Sequence, residues 1–140
     1  MDKKSWLLLV VSSSGDTGLT PIQLQKSLFI IGQSLKLKDF YDFVPYSYGP
    51  FDSQIYIDAE TLSSENLINM TYENSHRYPK YEISSSGLDK VKEIKKQTKD
   101  DETEFVSKTV NFVKSLSFKQ LLKIVYEAYP AYAVNSIFRG

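Results

Sequence analysis

Thr20-Pro-Ile-Gln-Leu-Gln-Lys-Ser-Leu-Phe-Ile-Ile-Gly-Gln-Ser-Leu35 is the stretch on which the fold turns. Threonine followed by proline marks a helix start. The hydroxyl of an N-cap residue accepts a bond from an orphan amide, and proline at the first helical position has no N–H to leave unpaired. Leu24, Leu28, Ile31 and Leu35 then recur at spacings of four, three and four, and Phe29 and Ile30 broaden the stripe. A helix this apolar gains its stability by packing against neighbours.

Upstream, residues 3–13 predict a short buried helix, and Gly15-Asp-Thr-Gly18 predicts a turn whose glycines can take positive φ. The start, Met1-Asp-Lys-Lys and then Trp6-Leu-Leu-Leu-Val-Val11, has the outline of a signal peptide. Its apolar run falls far short of the ~20 residues that span a bilayer, and no small-x-small pair follows it. A first core helix is the reading it supports.

Downstream, Phe40-Tyr-Asp-Phe-Val-Pro-Tyr-Ser-Tyr48 is aromatic and β-branched, and Pro45 restricts it to an edge strand or extended connector ended by Gly49-Pro50. Asp52 or Ser53 caps a helix to about Leu62, with Ile55, Ala59 and Leu62 on a narrow apolar face. Residues 67–73 and 78–84 read as a hairpin, or wing, with His76 and Arg77 at its tip. Ser85-Ser86 opens a helix with Leu88, Val91 and Ile94 inward and Lys90, Lys92, Lys95, Lys96 and Lys99 outward. Lys99-Asp-Asp-Glu102 reads as a break. Helices follow over residues 104–115 and after Ser117, and Pro130 opens a last short one to about Ser136. The predicted class is α+β and mostly helical. A winged-helix-like core over residues 1–98 carries a helical extension over 99–140, packed on the same domain.

Composition narrows the function. A chain of 140 residues falls within the roughly 50 to 200 of a single domain, and its 41% hydrophobic residues suffice for a core. Seventeen basic and 17 acidic residues leave no net field to draw the molecule to nucleic acid or anionic membrane. The absence of cysteine excludes disulfides, thiolate nucleophiles and cysteine zinc sites, and fits a reducing cytoplasm.

Three stretches in order, Leu24-Gln-Lys-Ser-Leu-Phe29, Tyr46-Ser-Tyr-Gly-Pro-Phe51 and Ile83-Ser-Ser-Ser-Gly-Leu88, resemble the Panacea or SocA-like domain family over about residues 1–95. The resemblance implies a winged-helix-like fold of prokaryotic or phage origin. It also implies, for some members, the antitoxin or proteolysis-adaptor half of a toxin–antitoxin pair. The segment from Tyr126 to Ser136 lies outside the resemblance and takes no role from it.

A winged helix suggests DNA binding, with the helix after Asp52 in the major groove and His76 and Arg77 reaching the backbone. Charge opposes this reading. Between Phe51 and Ile68 stand Asp52, Asp58, Glu60 and Glu65, with no lysine or arginine. Lys92, Lys95, Lys96 and Lys99 offer a phosphate stripe, diluted by Glu93 and by Asp100-Asp-Glu102. The single histidine, the serine clusters and an isolated Asp-Thr-Gly assemble no catalytic set. The expectation is a non-enzymatic, cytoplasmic protein-interaction module without cofactor, metal or membrane contact. Its predicted surface is Tyr46, Tyr48, Phe51, Asp52, Tyr56 and Asp58, an aromatic entry to an acidic helix, and its partner a toxin or a protease-adaptor target. The alternative is a winged-helix transcriptional regulator using the hairpin tip and the lysine stripe.

Overall fold

The computed structural model describes residues 1–73 and 76–138. Helix α1 (Lys3–Ser12) is capped by Asp2, whose Oδ1 accepts from Ser5 N at 2.9 Å. Residues 6–11 are all buried, so this stretch of α1 has no solvent face and lies in the core, with Lys4 exposed in the first turn. Its side chains join one cluster with Leu24 and Leu28, Ile55 and Ala59, Val91 and Ile94, and Val106 and Val110.

Helix α2 (Pro21–Ser34) starts as its sequence predicts. Thr20 Oγ1 accepts from Gln23 N and Gln23 Oε1 accepts from Thr20 N, so two orphan amides are satisfied reciprocally. Before it, residues 15–17 make a 3-10 turn, with Gly15 and Gly18 both at φ +68°. Leu19 then pairs with Tyr81 through two backbone bonds of 2.9 Å.

The segment predicted to end at Gly49-Pro50 instead turns back on itself. Strands β1 (Val44–Tyr46) and β2 (Gly49–Phe51) pair antiparallel around the two-residue turn Ser47-Tyr48, with Gly49 at φ +94°. Pro45 faces Pro50. The alternation of an antiparallel ladder puts these two residues, neither with an N–H, at a non-hydrogen-bonded pair, which is why the prolines do not break the hairpin.

Helix α3 (Gln54–Ser64) leads into the hairpin of β3 (Ile68–Thr71) and β4 (Lys80–Ile83), as predicted. In α4 (Ser85–Lys96), Val91 and Ile94 are buried but Leu88 is 47% exposed; Gly87 takes the inward position instead. A side chain there would collide with the Leu67 carbonyl, only 2.1 Å from where a Cβ would stand. Helix α5 (Asp100–Ser115) begins four residues earlier than expected, because the run read as a break is its first turn. Asp100, Asp101 and Glu102 sit at the positive end of its dipole. After α6 (Phe118–Ala128), with its Ser117 and Gln120 capping box, the last predicted helix shortens to a 3-10 turn over Pro130–Ala133.

The close approach at Gly87 gives a stability test. Gly87→Ala should lower unfolding free energy by about 3 kcal/mol, since backbone must move to admit the methyl group. Gly15→Ala, with open space around it but a positive φ, should cost only about 1 kcal/mol. Urea titration of both variants measures the difference.

Candidate functional site

Two adjacent side chains of α2 grip the end of the β1–β2 hairpin. Gln25 Nε2 donates to Asp52 O at 2.9 Å while its Oε1 accepts from Asp52 N at 3.1 Å, as a neighbouring strand would. Lys26 Nζ donates to Pro50 O at 3.0 Å. From the other side the C-terminal segment supports the turn: Ile137 N donates to Ser47 O at 3.0 Å and Asn135 Nδ2 to Pro45 O at 3.2 Å. Beneath it the Phe29 ring packs edge-on against Phe43, Tyr129 and Tyr132 at 4.7–5.2 Å.

This arrangement borders an open-mouthed cavity of about 480 Å³. Its floor is the start of α2, with residues 20–23, Gln25 and Lys26. One wall is the β1–β2 hairpin, with Tyr46, Tyr48, Gly49 and Phe51, continued by Tyr56 of α3 and Tyr78 just before β4. The opposite wall is the α5–α6 junction, with Leu116, Phe118 and Leu121. Tyr46 stacks on Phe51 at 4.8 Å, and Tyr48 meets Phe118 edge-on at 5.4 Å. Four rim aromatics stay open to solvent: Tyr46 at 55%, Tyr78 at 50%, Phe118 at 46% and Tyr48 at 42%.

The floor carries a charge that the walls do not answer. Lys26 is 97% buried, no Asp or Glu lines the cavity, and Lys26 forms no ion pair among the described residues. Loss of hydration pulls its ammonium down from 10.5 to about 8, so it remains mostly protonated at neutral pH. The positive end of the α2 dipole lies along the same floor.

Of the surface predicted from sequence, Tyr46, Tyr48, Phe51 and Tyr56 converge on the cavity, whereas Asp52 and Asp58 do not. Asp52 is occupied locally, accepting from Gln54 N at 2.9 Å and Asp42 N at 2.8 Å. Asp58 is buried, accepting from Tyr41 Oη at 2.7 Å and Gln54 Nε2 at 2.9 Å. Burial, with that bond to Asp58, pushes the Tyr41 hydroxyl well above the usual phenol range. The acidic face expected along α3 therefore shrinks to exposed Glu60 and, past its C-terminus, Glu65.

The hairpin tip holds His76 stacked on Tyr78 at 5.4 Å with Arg77 exposed beside it; the predicted turn residues 74 and 75 lie outside the described residues. On α4, Lys92 pairs with Asp89 at 4.0 Å and Lys96 with Glu93 at 3.3 Å, while Lys95 and Lys99 are exposed. Sequence reasoning missed Lys26, Gln25, Tyr78 and Phe118 as parts of one site. The available signal was a lysine four residues after Ile22 and three before Phe29, on a second apolar face of α2 whose residues 24–29 are all buried.

No family model matches the sequence, and no curated protein matches it. Among the described residues no three His, Asp or Glu side chains gather as metal ligands, and no helix is long and apolar enough to cross a membrane.

The unanswered ammonium predicts a pH signature. The unfolded chain binds a proton at Lys26 that the folded chain releases between pH 8 and 10.5, so stability rises with pH through that window. Above about pH 10 it falls again, because burial holds the phenols of Tyr41, Tyr56 and Tyr81 protonated in the folded chain while the unfolded chain loses them. Lys26→Met should be more stable than wild type by about 2 kcal/mol at pH 7: roughly 3 from the removed desolvation, less about 1 for the orphaned Pro50 carbonyl. Most of the alkaline rise should vanish in the variant. Thermal unfolding from pH 7 to 11 measures both.

Proposed function

We propose that this chain is a non-catalytic protein-interaction module, antitoxin-like and associated with a phage or mobile element, that holds a protein partner at the aromatic rim of the cavity. The observation that carries this reading is the convergence of four half-exposed aromatic side chains on one apolar hollow. Isolated exposed apolar residues are ordinary, but a contiguous aromatic rim around a hollow has the composition of an interface hot spot. The walls also come from parts distant in sequence, which gives a preformed receptor rather than a flexible loop.

The core supports a winged-helix-like reading. Helix α1, the short Leu19 pairing, α2, then after the inserted β1–β2 hairpin α3 and the β3–β4 hairpin stand in that order, and Leu19 pairs with β4 as the minor strand of a wing would. In this reading α3 corresponds to the recognition helix. Its exposed positions are Ser53 at the cap, Ile57, Glu60 and Ser64, with no basic residue, which favours a protein partner over DNA. The alternative of a DNA-binding regulator draws on exposed Arg77, Lys95 and Lys99.

Affinity capture from host extract separates the two readings. Wild-type chain should retain a specific protein that a Tyr46→Ala/Tyr48→Ala variant loses, with the variant still cooperatively folded. DNA binding that weakens steeply between 50 and 200 mM salt, by roughly 10-fold or more, with no protein captured, would favour the regulator.

A further inference from the structure

We infer that the cavity selects a partner segment carrying a carboxylate beside a large apolar side chain, with Lys26 as the counter-charge at its floor; this rests on the interaction reading above. Three observations point the same way. Lys26 is buried among apolar walls, uses one donor on the Pro50 carbonyl, and meets no carboxylate. The N-terminal residues of α2, Thr20 through Gln23, share the floor; their capping box occupies the amides of Thr20 and Gln23, so they contribute the positive end of the helix dipole and no extra donors from those two amides. The walls, from Phe51, Tyr56, Leu116 and Leu121, accept hydrocarbon or a ring but offer no second charge. A neutral apolar anchor would fill the hollow and leave the ammonium dehydrated and unpaired. An anchor with an acidic group replaces the lost hydration by a charge-assisted hydrogen bond.

The rim argues for a peptide rather than a free small acid. Small-molecule sites enclose most of their ligand, whereas here Tyr46, Tyr48, Tyr78 and Phe118 stand about half exposed around the mouth. A polypeptide anchored by one acidic–apolar pair would cover that rim.

The test uses the full chain and an immobilised peptide array in which Leu, Phe or Trp is followed by Glu or Asp, each matched by its Gln or Asn isostere. The best pairs are then measured in solution beside 3-phenylpropanoate and its amide. Wild type should prefer acidic peptides over isosteres by about 10-fold or more. Lys26→Met, which should fold at least as stably, should bind acid and amide alike at the amide's affinity. Equal binding of acids and amides by wild type overturns the inference, as does an acid preference that survives Lys26→Met. Affinity for 3-phenylpropanoate equal to that of the acidic peptides also overturns it, in favour of a small-acid site. Equal binding with host-protein capture intact sinks the carboxylate inference and leaves the interaction reading standing. Acid preference without any capture sinks the interaction reading instead.

Discussion

Gln25 clasps the backbone of Asp52 with two bonds while Lys26 adds one to Pro50, and the aromatic rings of the β1–β2 hairpin take their places mainly from the Gln25 pair. Strands of three residues, with prolines facing each other across the ladder, have too few bonds to hold a hairpin by themselves. The hairpin is instead fastened at its base by α2 and at its turn by residues 135–137. With both ends fixed, Tyr46, Tyr48 and Phe51 become one rigid wall. The Gln25 pair is a small piece of sheet supplied by a side chain, satisfying an N–H and a C=O that would otherwise be partly buried without partners. Gly49 supplies the positive φ of the hairpin turn, and a side chain there would come within 3.1 Å of the Tyr126 ring.

Two buried charged positions show how differently the interior treats them. Asp58 receives hydrogen bonds from Tyr41 and Gln54, so its burial links α3 to the chain before β1 and is a structural device. Lys26 receives no equivalent compensation. A methionine in its place would pack as well and remove the desolvation penalty, so the lysine works against stability where it stands. Groups placed at such expense tend to belong to sites that act on a ligand.

The C-terminal third is woven into the rest. Val106 and Val110 of α5 enter the same cluster as α1, and Val113, Leu121 and Val125 surround Phe29 of α2. Lys114 reaches back to bond the Ser14 carbonyl and the Thr17 hydroxyl, holding the turn that leads to Leu19. The segment from Tyr126 to Ser136 gains a role that its sequence did not suggest. Tyr126 Oη bonds Ser136 Oγ at 2.6 Å, and Tyr129 and Tyr132 support Phe29 under the hairpin.

Local physics was readable from the residues alone. The Thr20-Pro21 start, the α2 stripe, the Ser117 cap, the β3–β4 hairpin and the aromatic character of residues 46–56 depend on periodicity and capping, which act within a few residues. The misreadings were also local in origin: Gly49-Pro50 looked like a stop, the acidic run after Lys99 like a break, and Leu88 like a core residue. Each was decided by a neighbour the sequence does not announce, a facing proline, a helix dipole or the Leu67 carbonyl. The cavity belongs wholly to the tertiary level. Lys26, Tyr48, Tyr78 and Phe118 are scattered over more than ninety positions, and only packing brings them to one hollow and removes water from the lysine. Sequence determined that the chain would have helices, a β-hairpin and an aromatic surface; tertiary structure decided that the Lys26 ammonium would lie beneath that surface with no carboxylate beside it among the described residues, because burial is a property of surroundings and not of spacing.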